Sequence, residues 1–136
     1  MDKLVNQLGN EIIKISEENN LKLDETIKLL ENTMTYVLDT LVCQDENCKP
    51  KTVYVLKFEG YLEEYSKVKI AYSLERASNA AGKRAYMNAG DIELVISDVE
   101  KHFGERKIIR SVELRRWVKE SLEKNGYDFV LQSYAG

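Results

Sequence analysis

Residues 55–70 read VLKFEGYLEEYSKVKI, and this stretch decides how the chain folds. Its front half belongs to a run from Thr52 to Phe58 in which Val53, Val55 and Lys57 share one face and Tyr54, Leu56 and Phe58 the other. That period of two predicts a strand. Glu59-Gly60 is a weaker relative of the Asp-Gly hairpin turn, with Gly60 supplying the positive φ, and YLEEY returns as the partner strand. Ser66 is placed to cap a helix whose Ile70, Leu74, Ala77 and Ala81 form one apolar stripe, ended by Gly82. A hairpin leading straight into a lysine-bearing helix has two readings. Either it only covers the apolar side of helices, or it brings Lys57 and Lys69 together around something negatively charged.

Working outward, Asp91 to Phe103 forms another amphipathic unit, with Ile92, Val95, Ile96, Val99 and Phe103 on one side and Gly104 at its stop. RKIIR is a short third strand. Ser111 is placed to cap the next helix, in which Leu114, Trp117, Val118 and Leu122 are apolar; Gly126 ends it and YDFVLQSY begins one more. Upstream, Leu4, Leu8, Ile12 and Ile15 recur at helical spacing, as do Ile27, Leu30, Met34, Val37, Leu38 and Leu41. Asn19 and Asn20 suit the turn between these two helices, and Asp24 is placed to cap the second. Two amphipathic helices cannot bury both stripes alone, so they must pack on the rest of the chain or on a second copy. QDENCKPK, with the only proline, reads as a linker, which divides the chain into residues 1–51 and 52–136. There is no internal repeat and no low-complexity tract.

Composition bounds the function. At 136 residues and 43% hydrophobic content the chain has material for one core. The charged N-terminal stretch is unlike a signal peptide, and no run approaches a membrane span, so a cytoplasmic protein with reduced thiols is expected. Cys43 and Cys48, with His102 as the single histidine, cannot complete a four-ligand zinc site within this chain; a surface disulfide across their loop is the other use open to them. Met1 to Lys51 carries six basic and ten acidic residues, a balance of −4, which is unsuited to reading a phosphate backbone; nucleic acid is not the expected partner. No GxxxxGK[ST] or GxGxxG occurs, and no nucleophile–base pair follows from spacing, so neither P-loop hydrolysis nor another catalytic activity is expected.

From about Val53 to Tyr134 the chain resembles the ATP-cone, a regulatory nucleotide-binding domain of ribonucleotide reductases and of the NrdR-type repressors of reductase genes. The residues carrying the opening of that resemblance are Val55, Lys57, Gly60, Glu63, Glu64, Tyr65, Lys69 and Ile70; its later part rests on Ile109, Ser111, Leu114, Val118, Leu122, Gly126 and Tyr134. Phe58 stands where the family usually has an arginine, which removes a planar fork suited to phosphate, and Glu59 replaces the aspartate of the turn.

The resemblance implies an α+β fold, a small helical domain capped by a three-stranded sheet; the two additional N-terminal helices, with their apolar stripes, are expected to serve as an oligomerisation or partner surface. It implies binding of ATP or dATP, with or without magnesium, with Lys57 and Lys69 on the phosphates, Glu63 reaching the ribose or base, and Val55 against the purine. For Glu63 the other reading is a charged edge-strand residue that discourages pairing. Ser111 either caps its helix or faces the base, and Arg115 either replaces a lost phosphate contact or lies on the solvent face with Arg116. Lys83 and Arg84 are further cationic candidates. Trp117 is read as a core anchor. Two other classes remain beside nucleotide sensing: a transcription regulator related to the zinc-ribbon repressors, and a structural interaction module with a degenerate nucleotide site.

Overall fold

The computed structural model describes residues 1–44, 52–82 and 86–134. Lys83, Arg84 and Cys48, like the division expected near Lys51, lie outside the described residues, and so does the side chain of Cys43. The chain separates into two compact units, Met1–Asp45 and Glu46–Gly136.

The first unit is a helical hairpin of α1 (Asp2–Glu18) and α2 (Leu23–Gln44). Asn20 adopts φ 52° in the connection, a left-handed conformation that asparagine tolerates better than most residues. Ser16 and Thr26 join the helices at the turn through a hydroxyl–hydroxyl hydrogen bond of 2.6 Å. The start of α2 differs from expectation. Asp24 lies inside the first turn, and Glu25 performs the capping by accepting from the backbone N–H of Lys22 at 3.1 Å, because the helix begins two residues earlier than the Asp24 reading required. No residue of α1 is buried.

The second unit is mostly helical with a three-stranded mixed sheet, an α+β arrangement. Strands β1 (Tyr54–Leu56), β2 (Leu62–Glu64) and β3 (Ile108–Arg110) lie in the order β2-β1-β3. β1 pairs antiparallel with β2, Val55 opposite Glu63, and parallel with β3, Val55 opposite Ile109. Gly60 takes φ 93° in the hairpin turn, as its sequence setting requires. The parallel pair needs a long crossover. α3 (Lys67–Ala81) and α4 (Ala89–Glu100) supply it, and α5 (Ser111–Lys124) and α6 (Asp128–Ser133) complete the unit.

The expected apolar stripes meet in one core. Leu74 of α3, Val95 and Val99 of α4, Ile109 of β3, Leu122 of α5 and Val130 of α6 all have no exposed surface there. Trp117 belongs to this core, 7% exposed, with the ring of His102 stacked on it at 4.8 Å. Polar ties lock the helices in register: Asp98 of α4 accepts from the Ser121 hydroxyl at 2.8 Å and the Asn125 amide at 3.1 Å, and the Tyr127 hydroxyl donates to Asp91 at 2.7 Å. α4 begins before the expected Asp91 because Asn88 and Asp91 form a reciprocal capping box, and it ends at Glu100, leaving Phe103 buried in the following turn.

Candidate functional site

The hairpin, the head of α3 and the head of α5 enclose a cavity of about 230 Å³. Its position follows from the sheet. β1 is central, so Val55 is held between two partners, while Leu56 pairs with Arg110, the last residue before α5. The parallel pairing therefore sets the start of α5 beside the hairpin. Lys57 leaves β1 at the turn, where its backbone N–H donates to Tyr61 at 2.9 Å and its carbonyl accepts from Gly60 at 2.9 Å.

All six candidate residues, Val55, Lys57, Glu63, Lys69, Ser111 and Arg115, line this one cavity. They come from four elements and are up to sixty positions apart, from Val55 to Arg115. Val55, Ile70, Leu114 and Val118 supply apolar surface, and the charged groups stand around it. Val55 is 7% exposed, so it serves packing and wall at once. Arg115 reaches the cavity although it is an exposed residue, which joins both readings of it; Arg116 is exposed and does not line the cavity.

The lysines do not stand free of acids. Lys69 donates to Glu63 in an ion pair, with 66% of the Lys69 side chain exposed. That hydrogen bond holds the Glu63 carboxyl below the usual carboxylate range against the opposing effect of burial, and the charges of Lys69 and Lys57 act in the same direction. One carboxylate thus sits within the field of both ammonium groups. A polyanion entering here meets a Lys69 ammonium that is already paired with Glu63.

Two expected caps are absent. Ser66 occupies the N-cap position of α3 with extended backbone, but its side chain makes no capping hydrogen bond, and it lines the cavity. Ser111 is the first residue of α5, one place too late to cap it, because β3 runs directly into the helix with Arg110 at the N-cap position. Glu113 serves that end of the helix. It accepts from the Arg110 backbone N–H at 3.0 Å and from both terminal nitrogens of Arg106 at 3.2 and 2.8 Å. The Ser111 side chain is left to the cavity.

Sequence reasoning assigned no site role to several other lining residues, among them Ser73, Tyr134 and Phe58. Ser73, one turn beyond Lys69, and Tyr134 meet at the inner wall, where burial raises the Tyr134 phenol while a hydrogen bond with Ser73 and the charge of Arg115 oppose the shift. The spacing of four from Lys69 to Ser73 was the available signal for the first. Phe58, treated as a missing arginine, lies at the cavity with 90% of its surface exposed, an uncommon setting for so large an apolar ring. The described residues contain no group of three acidic, histidine or cysteine side chains suited to a metal ion. Among them, no helix is long and apolar enough to cross a membrane. No protein-family model matches this chain, and no curated protein matches it.

Proposed function

We propose that the second unit is a reversible sensor of a purine nucleoside triphosphate, ATP or dATP, in the manner of the ATP-cone it resembles, and that binding alters self-association or docking to a partner. One observation carries this reading: residues selected at family spacing along the chain converge on a single cavity with apolar walls and three cationic side chains. In this reading the base and sugar enter the apolar part and the phosphates meet Lys57, Lys69 and Arg115. The cavity measures about 230 Å³. It falls below the roughly 300–1,000 Å³ of common ligand pockets, so the triphosphate extends toward the open mouth. Charge-assisted hydrogen bonds hold it there, and Phe58 offers an exposed ring for a base or sugar face. Magnesium enters as part of the nucleotide complex, carried by phosphate oxygens.

The switch follows from the ion pair. Nucleotide draws Lys69 from Glu63, and since Glu63 lies on β2 and Lys69 on α3, exchange of that contact reorders the hairpin against the helix. Only a difference in ligand affinity between the two arrangements shifts the population. The reading contains no catalytic step.

Calorimetric titration with ATP, dATP and AMP, run beside sizing with and without nucleotide, tests the proposal. Saturable triphosphate binding that weakens in Lys57→Ala and Lys69→Ala is expected; affinity unchanged in both variants rejects the site. A second reading has its own support in the Glu63–Lys69 pair and Phe58: a structural interaction module whose nucleotide site has degenerated. It predicts no thermal shift with any nucleotide. A transcription regulator would instead retard DNA at low salt, which the acidic N-terminal segment disfavours.

A further inference from the structure

The helical hairpin of the first unit carries an exposed apolar surface. α2 places Leu23, Ile27, Leu30, Met34, Val37 and Leu41 at alternating steps of four and three, and each is between 37% and 79% exposed. That spacing of 3.5 is the heptad seam of a helix meeting another helix over several turns. α1 extends the same face: Leu8 and Ile12 border a groove of about 450 Å³ whose other wall includes Leu30, Met34 and Val37. Leu4, with 63% of its surface exposed, and Ile15, with 43%, continue the α1 stripe on either side.

We propose that this face is covered by the same face of a second copy, so that two hairpins form a four-helix bundle about a two-fold axis. Two quantities select that occupant. The side chains of the two stripes, about half exposed on average, leave on the order of 700 Å² of apolar surface per copy, close to the ~800 Å² each partner buries in a standard interface and above the largest patch usual on a monomer. The hairpin has little interior of its own, since α1 buries no residue and α2 buries only Val42 among the described residues; a second copy supplies the missing cover at equal stoichiometry. Of the α2 positions flanking the seam, Thr26, Thr33 and Thr40 on one side are uncharged, while Asp24 and Glu31 stand on the other and Glu31 borders the groove. Residues 1–45 carry four lysines against nine acids, so joining two copies brings like charge together around the seam. Salt therefore strengthens the association, whereas a partner with basic flanks would be released by it.

This inference is independent of the nucleotide reading, because the surface and the cavity lie in different units. Sedimentation equilibrium of the full chain, over a hundredfold concentration range at low and high salt, tests it. The expected result is a dimer, tightened by salt, with helicity lost on dilution. Leu30→Glu with Val37→Glu should weaken association at least about 100-fold. Tyr36→Glu, exposed but off the seam, should leave it unchanged. Near-ultraviolet dichroism of Trp117, the only tryptophan, shows that the second unit stays folded in each variant. A wild-type chain that is monomeric throughout, association that survives the double substitution, or a dimer weakened by salt overturns the proposal.

Discussion

Glu63 on β2 and Lys69 in the first turns of α3 form an ion pair at the cavity, so the ammonium group best placed to meet an anion already has a counter-charge. The pair is solvent-exposed and its own contribution to stability is correspondingly small. Its consequence lies in binding, where it competes with any incoming phosphate.

Removing the competitor should therefore help the ligand. Glu63→Gln is expected to raise ATP affinity roughly two- to fivefold, with the gain shrinking at high salt as exposed charges are screened. Isothermal titration at two ionic strengths measures it. A loss of affinity would instead assign Glu63 a direct contact with the sugar or base.

Removing the cations should do the reverse. Lys57→Ala and Lys69→Ala are each expected to cost roughly 1.5 to 3 kcal/mol of triphosphate binding, the range for a hydrogen bond to a charged group. AMP, with fewer phosphate charges, should lose less. Comparison of the nucleotides in each variant reads which cation meets which end of the chain.

Acid should unfold the second unit by way of Glu113 and Asp98. Burial alone would raise the Glu113 carboxyl, but the hydrogen bonds from Arg106 and the Arg110 amide outweigh it and hold it low; the Ser121 hydroxyl, followed by the Asn125 amide and nearby lysines, does the same for Asp98 against slight burial. Both folded-state values lie below the unfolded ones, so the stability these groups add is complete above the ordinary carboxylate range and is lost as pH falls through their folded values. Glu113→Gln should cost about 1.5 to 3 kcal/mol at neutral pH by removing the charge that holds the half-buried Arg106, and should flatten the acid limb. Urea unfolding followed by Trp117 across pH 3 to 7 gives both slopes; a variant with the wild-type acid limb would remove Glu113 from this role.

Core and surface positions on α5 should separate sharply. Leu122 has no exposed surface, and Leu122→Ala is expected to lower stability by about 2 to 5 kcal/mol through lost burial and the cavity left behind. Val112, 52% exposed on the same helix, should tolerate alanine within about 0.5 kcal/mol. Similar effects at the two sites, measured by denaturant midpoint, would mean that the core is not packed as described.

Much of the fold was legible in residue spacing. The period-two run, the glycine turn and the stripe of Ile70, Leu74 and Ala77 each report which way successive side chains face, and facing depends only on local geometry. Capping was less legible. Asp24, Ser66 and Ser111 are residue types that favour caps, yet Glu25 and Glu113 take two of the roles, because a cap depends on where the helix starts to within one residue. Tyr134 escaped for another reason: nothing local in its surroundings marks it as a neighbour of the β-hairpin, whereas Ser73 had the spacing of four from Lys69 as a signal.

By itself, the sequence determined the elements, their apolar faces and the lysines flanking a hairpin, since all of these follow from periods of two and 3.6 along one chain. Only the tertiary structure decided that β3 pairs parallel with β1, which carries Ser111 and Arg115 to the cavity across more than forty intervening residues. It also decided that Lys69 meets Glu63. Pairing between distant segments is settled by the burial of the whole unit, and no local period encodes it.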